Sequence, residues 1–241
     1  MGIDVYVLDL LMKFRSAASD GLGEALSLGR QSLHFPTDEA RAIATEILQR
    51  YDSGADFSVI RNSGAYADRF FKYLGCRSIQ SMDFSSYEGA GIEHDLNTAV
   101  PSRLHGSFDF IFDGGTIEHV FDVPMAYRNV RDMLRDEGLF IGVSPANNFL
   151  GHGLYQFSPE LLWRVFSESN GFSVELLQLI PVAGYPAPID APDPAAEQRR
   201  LQIGQTPERQ YVVVAARKRP GAGPTVVQQS DYAAAWERAK D

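Results

Sequence analysis

The chain has 241 residues, 44% of them hydrophobic and 22% charged, with a formal net charge of −9. That length suits one large domain or one domain with extensions, and an acidic balance with scattered Lys and Arg argues against a nucleic-acid partner, which needs clustered cations. The lone Cys76 rules out an intramolecular disulfide and a Cys-rich zinc site, and a reducing, cytoplasmic location is expected. No stretch approaches eighteen consecutive apolar residues, so no membrane span is expected. The start "MGIDVYVLDLLMKFRS" lacks a basic region and a cleavage site, so it does not read as a signal peptide.

Apolar residues at three- and four-residue spacing predict a helix over 4–18. "GEALSLGRQ" (23–31) reads as a buried strand opening into a loop at Gly29. "FPTDEARAIATEILQRY" predicts a helix with Thr37 as N-cap and two acids at its positive end. A second helix, "GAYADRFFKYLG", closes at Gly75. Strands are expected in "RSIQSMDFS", ending at Asp83, in "AGIEHDLN" near Asp95, and in "GSFDFIFDGGT", stopping at Asp113-Gly114-Gly115. The helix "VPMAYRNVRDMLRDEG" is expected to stop at Gly138, and "LFIGVSPANN" is the next strand. Ser158-Pro159-Glu160 is a helix start, with a hydroxyl cap, Pro at the first helical position and an acid in the first turn. "FSVELLQLI" (172–180) and "RQYVVVAARKR" (209–219) read as a strand pair.

This alternation predicts an α/β, Rossmann-like fold: a seven-stranded, mostly parallel sheet with an antiparallel edge strand and helices on both faces. A single domain is expected over 1–219, with a loop or lid at 181–208 and a C-terminal arm at 220–241. In such sheets ligands bind at the carboxyl ends of the strands where strand order reverses. The candidate site therefore joins Gly29 to Gln31, Asp83, Asp113 to Thr116 and the 147–156 loop.

Asp83 is either the partner of two ribose hydroxyls or a solvated turn aspartate. Gly29 allows close backbone approach to a ligand, or a sharp turn. No G-x-G-x-x-G follows the first strand. In "DGGTIEHVFD" (113–122), His119 is a general-base candidate or an imidazole that orders its loop. No metal site is expected, because the histidines show neither an i, i+4 pair nor H-E-x-x-H.

The run from "SIQSMDFSSYEGAGIEHDLN" through "FDFIFDGGTIEHVFD" to "LRDEGLFIGVSPANN" resembles the class I S-adenosylmethionine-dependent methyltransferases over about residues 65–180. The resemblance implies S-adenosyl-L-methionine as cofactor. It places Asp83 on the ribose with Phe84 beside it, Asp95 and Leu96 near the adenine, and Asp113, Gly114 and Gly115 against the methionine portion. The family's glycine-rich first loop is here only "SLGRQSLHF", followed by an insertion over about 32–64. Gly29 and Arg30 are expected to take its task, Arg30 by pairing with a carboxylate, with "RNSGAY" (61–66) folding back.

The loop "NNFLGHGLYQFSPE" (147–160) then borders the acceptor side. His152 is a candidate base and Tyr155 a candidate hydrogen-bond donor or sulfonium neighbour, while Asn147 and Asn148 are candidates for acceptor hydroxyls. The plainer alternative is that Asn and Gly shape the turn while Tyr155 and Phe157 pack beneath it. The functional expectation is methyl transfer to a hydroxyl or amine of a small molecule, such as a sugar or specialised metabolite. The alternatives are another use of the cofactor, by cyclisation or displacement, and a non-catalytic scaffold. A homodimer is compatible with the terminal helix and arm.

Overall fold

A computed structural model describes residues 2–61, 64–182, 187–221 and 226–239. Helix α1 (Val5–Ala17) starts where Asp4 accepts the amides of Tyr6 and Val7. Strand β1 (Gly23–Leu28) is followed by helix α2 (Asp38–Tyr51), with Thr37 as its N-cap. Helix α3 (Asp68–Tyr73) is shorter than its predicted span, because Tyr66 is held in an antiparallel bridge with Ser32. Asn62 and Ser63 of the "RNSGAY" segment lie outside the described residues.

Strands β2 (Cys76–Asp83), β3 (Ile92–Glu93) and β4 (Phe108–Asp113) follow as expected, and β3 is only two residues long. Helix α4 (Val123–Met133) ends one turn before Gly138. Lys218 Nζ takes the carbonyls of Arg131 and Leu134 at its end, so a cation sits at the negative pole of the helix dipole. The chain then turns through Glu137 (φ 62°) within the start of strand β5 (Leu134–Asn147). Helix α5 (Pro159–Val165) has Ser158 as its cap, as its sequence implies.

Strand β6 (Phe172–Pro181) pairs with the last strand. The predicted lid contains a two-residue strand β7 (Ile189–Asp190) and a one-turn helix α6 (Pro194–Glu197); residues 183–186 are outside the described set. Strand β8 (Gln210–Lys218) precedes the arm, which carries helix α7 (Ser230–Arg238). No helix among the described residues is long and apolar enough to cross a membrane.

The eight strands form one sheet in the order β3-β2-β1-β4-β5-β8-β6-β7. Strands β1 to β5 pair in parallel, β8 runs antiparallel between β5 and β6, and β7 is an antiparallel edge. The architecture is thus α/β and Rossmann-like, with one more strand than the sequence suggests.

The strands read as near-continuous apolar runs because both faces of the sheet are covered. Ala25, Phe110, Phe112, Leu139, Ile141 and Val213 face the core shared with α1, α2 and α3. Their neighbours Leu26, Ile111, Phe140, Val212 and Val214 face the core shared with α4 and α5. Each fully buried Phe stabilises the fold by about 2–3 kcal/mol relative to an exposed one. Strand order reverses between β1 and β4, and in sheets of this topology ligands bind beyond the carboxyl ends of the strands at such a reversal.

Candidate functional site

After β1, the backbone turns at Gly29 (φ +67°), whose amide donates to the Met82 carbonyl at 2.7 Å. A Cβ on Gly29 would lie 2.7 Å from Thr116 Oγ1, so this glycine makes room for a threonine. That hydroxyl donates to the Leu28 carbonyl at 2.8 Å, and the Thr116 amide donates to Asp113 Oδ1 at 2.8 Å. The ends of β1 and β4 are tied together by these bonds. Gln31, buried, donates through Nε2 to Leu28 O at 2.7 Å, while its Oε1 packs where a Gly114 side chain would stand. Gly114 thus leaves the room that Gln31 fills. Gly115 (φ +98°) completes the turn.

Arg30 is committed elsewhere. Its guanidinium lies 4.0 Å from the centre of the Tyr66 ring, pairs with Asp68 at 3.1 Å and donates to Glu88 O at 2.9 Å. It straps the first loop to the segment after β2, and its donors are aimed at protein groups rather than at a ligand carboxylate.

Asp83 ends β2 with Oδ1 accepting the Phe84 amide at 2.6 Å, and Phe84 itself is exposed. Asp95, just past β3, accepts both the backbone amide and the side-chain amide of Asn97, and these bonds hold its carboxyl below the usual range. Leu96 is buried in the core on the α4 side, not on the open surface. What fixes this segment is Asn129 on α4: its Oδ1 accepts from Val100 N, and its Nδ2 donates to Leu96 O and Thr98 O. A buried Asn inside an amphipathic helix is a polar residue among apolar ones, and that mismatch is the only sequence signal it gives.

Asp113 is 1% exposed, and burial raises its pKa. Its Oδ2 and Gln31 Oε1 are buried acceptors with no hydrogen-bond partner among the described residues. Beyond it, a short 3-10 turn (Ile117–His119) presents Glu118 and His119. Glu118 is fully buried and both its carboxylate oxygens lack a partner among the described residues. Burial, and then the negative charge of Asp113, push its pKa up. His119, 50% exposed, has its pKa lowered by partial burial and by the neighbouring His152.

The loop after β5 folds onto this turn. Its Leu154 and Tyr155 amides both donate to the Glu118 carbonyl, at 2.8 and 3.2 Å. Gly153 (φ +71°) is where the loop and the Glu118 turn touch: a Cβ there would lie 2.9 Å from Glu118 Cγ. Gly151 (φ +82°) has open space where its side chain would be, so only its backbone conformation calls for glycine. The loop thereby carries His152 to Glu118, with Nε2 3.5 Å from Oε1, and sets the two imidazoles 5.3 Å apart edge to face. Tyr155 stacks on Phe157 and donates its hydroxyl to the Phe121 carbonyl at 2.9 Å, so it braces the loop rather than offering a free donor. Asn148 (φ 60°) donates to the carbonyls of Thr206 and Glu208, tying the loop to the segment before β8.

Glu118, His119 and His152 thus form a three-residue cluster, which is a potential metal-ligand set contrary to the expectation from spacing. His119 and His152 are 33 positions apart, and only the adjacency of β4 and β5 brings them together. Glu118, the buried partner, lies between the core residues Ile117 and Val120, an apolar setting already visible in "TIEHV".

No family model matches the sequence, and no curated protein matches it either. Among solved structures, the chain is similar to a 1,6-didemethyltoxoflavin-N1-methyltransferase of Burkholderia thailandensis, crystallised with 1,6-didemethyltoxoflavin and S-adenosylhomocysteine. Identity is 14%, over 90% of this chain and 81% of the other, with a TM-score of 0.46. The YcgJ protein of Bacillus subtilis shares 15% identity over 89% of this chain and 98% of the other, with a TM-score of 0.42. The [4+2]-cyclase SpnF shares 12% identity over 90% of this chain and 81% of the other, with a TM-score of 0.45.

Proposed function

We propose that this protein is an S-adenosylmethionine-dependent methyltransferase acting on a hydroxyl or amine of a small molecule. The observation that carries the reading is the reversal of strand order between β1 and β4, with acids at the carboxyl ends of three strands: Asp83 closing β2, Asp95 just past β3 and Asp113 closing β4. Carboxyl-end clefts of this kind are where such sheets bind nucleosides.

The residues present fit the cofactor in two halves. Asp83, with one oxygen on the Phe84 amide, would offer its other oxygen to a ribose hydroxyl, and the Asp95–Leu96 segment would border the base. Asp113 Oδ2 and Gln31 Oε1 are two buried acceptors at the ends of β4 and β1. Acceptors of that kind suit an ammonium donor such as the methionine amine, so Gln31 joins Asp113, Gly114 and Gly115 as a candidate for that end of the cofactor. When bound, the cofactor supplies an activated methyl group. The protein's own work is to orient the acceptor, exclude water and accept a proton. His119 and His152, half-exposed beyond β4 and β5, are placed to activate that acceptor.

Calorimetric titration with S-adenosylmethionine and S-adenosylhomocysteine tests this. Micromolar binding is expected, weakened at least about tenfold in Asp83→Ala, a loss of roughly 1.4 kcal/mol. His119→Ala and His152→Ala should keep cofactor affinity and lose at least about 100-fold in turnover. Absence of binding by either compound would refute the proposal. It would favour a cofactor-free scaffold, a reading that draws on the packing of Thr116 against Gly29 and of Gln31 against Gly114.

A further inference from the structure

We infer that Glu118, His119 and His152 bind one first-row divalent transition-metal ion, of the class that runs from manganese to zinc. The first reason is the carboxylate. Glu118 is fully buried and both its oxygens lack a hydrogen-bond partner among the described residues, as does His152 Nε2, which faces it. A buried carboxyl without a hydrogen-bond donor is costly, and the only cationic partners that face Glu118 among the described residues are the two imidazoles, at 3.5 and 3.9 Å.

Distance is the second reason. The Glu118 Oε1 to His152 Nε2 separation is 3.5 Å and that to His119 Nε2 is 3.9 Å. Both are too long for direct hydrogen bonds, whose usual range ends near about 3.2 Å. They are close to what a shared ion requires, because bonds of about 2.0–2.2 Å set neighbouring ligand atoms about 3.0–3.5 Å apart. One ligand atom from each residue lies within 4.8 Å of the others, near enough to converge on one ion.

Backbone support is the third. Glu118 and His119 share one 3-10 turn, and the loop bearing His152 is fastened to the Glu118 carbonyl by two amides. The three donors are therefore placed by one continuous hydrogen-bonded unit rather than by independent loops. Two imidazoles and one carboxylate select transition ions over magnesium or calcium, which prefer sets made only of oxygen. Three protein ligands also leave coordination positions open. An oxygen of water or of an acceptor molecule fits there. Activation of the acceptor, assigned above to these imidazoles, then runs through the ion rather than by direct proton transfer. Only that last step rests on the methyl-transfer reading.

The test is calorimetric titration of the chelator-stripped full chain with Zn²⁺ and Mg²⁺, with Co²⁺ followed by visible absorption. One Zn²⁺ or Co²⁺ per chain is expected, with Co²⁺ giving the absorption of an imidazole-bound ion. Glu118→Gln, which keeps the side-chain volume, His119→Ala and His152→Ala should each weaken binding at least about 100-fold. Failure of the wild type to bind, affinity unchanged in folded Glu118→Gln, or Mg²⁺ binding as tightly as Zn²⁺ would each overturn the inference. Binding of Zn²⁺ without binding of S-adenosylmethionine would overturn the methyltransferase reading and leave this one standing.

Discussion

Gly151 and Gly153 both adopt left-handed backbone conformations, with φ of +82° and +71°, yet their surroundings differ completely. A Cβ at position 151 meets nothing within 4 Å, whereas at 153 it would lie 2.9 Å from Glu118 Cγ and 3.0 Å from the Glu118 carbonyl oxygen. Gly151→Ala therefore carries conformational strain alone, about 1–2 kcal/mol. Gly153→Ala carries the same strain plus a contact that real side chains avoid, and relief by shifting the loop strains the two amide bonds to Glu118 O. Overpacking of this kind adds about 1–3 kcal/mol, so Gly153→Ala should cost roughly 2–5 kcal/mol in total. Urea denaturation followed by far-ultraviolet circular dichroism measures both, with the midpoint shift read at constant slope. Zn²⁺ titration adds a second readout, in which Gly153→Ala weakens binding and Gly151→Ala leaves it within about twofold of wild type. Equal destabilisation by the two substitutions would refute the claim that Gly153 exists to let the loop rest on Glu118.

Two further predictions concern the framework. Asp109 accepts the Glu24 amide at 2.8 Å, Arg135 at 2.8 Å and the more exposed Arg77 at 3.2 Å. Burial pushes its pKa up, but the Glu24 amide and the two guanidiniums outweigh this and leave it below the ordinary carboxylate value. A depressed folded pKa gives stability that is present above the unfolded value near about 3.9 and lost as pH falls through the folded one. Asp109→Asn should thus cost about 1–2 kcal/mol near neutrality, with the difference from wild type shrinking in acid; a pH-independent difference in urea midpoints would contradict it. Asn129→Ala removes three hydrogen bonds to the segment bearing Asp95 and Leu96. Leaving those buried backbone groups unpaired should cost about 2–4 kcal/mol and speed amide hydrogen exchange at Val100; unchanged exchange there would show that Asn129 does not hold the segment.

Local chemistry wrote much of this structure into the sequence. Thr37 and Ser158 cap their helices where the capping pattern places them, because a side-chain oxygen answering an orphan amide is a short-range event. The apolar runs of β1 and β4 announced buried strands, and the alternation of strands with helices gave the α/β class, hence a candidate site at the carboxyl ends. Tertiary structure decided the rest. Where α4 ends depends on Lys218, which is 84 residues along the chain from Leu134, and no local pattern contains that contact. Gly29, Gly114 and Arg30 looked ready for a ligand, but their neighbours Thr116, Gln31, Asp68 and Glu88 are set by packing between strands and loops. Histidine spacing argued against a metal because ligand motifs are recognised only when one helix or turn carries them all. Here the candidate set is divided between the segments after β4 and β5, and two adjacent parallel strands closed a gap that the sequence leaves 33 positions wide.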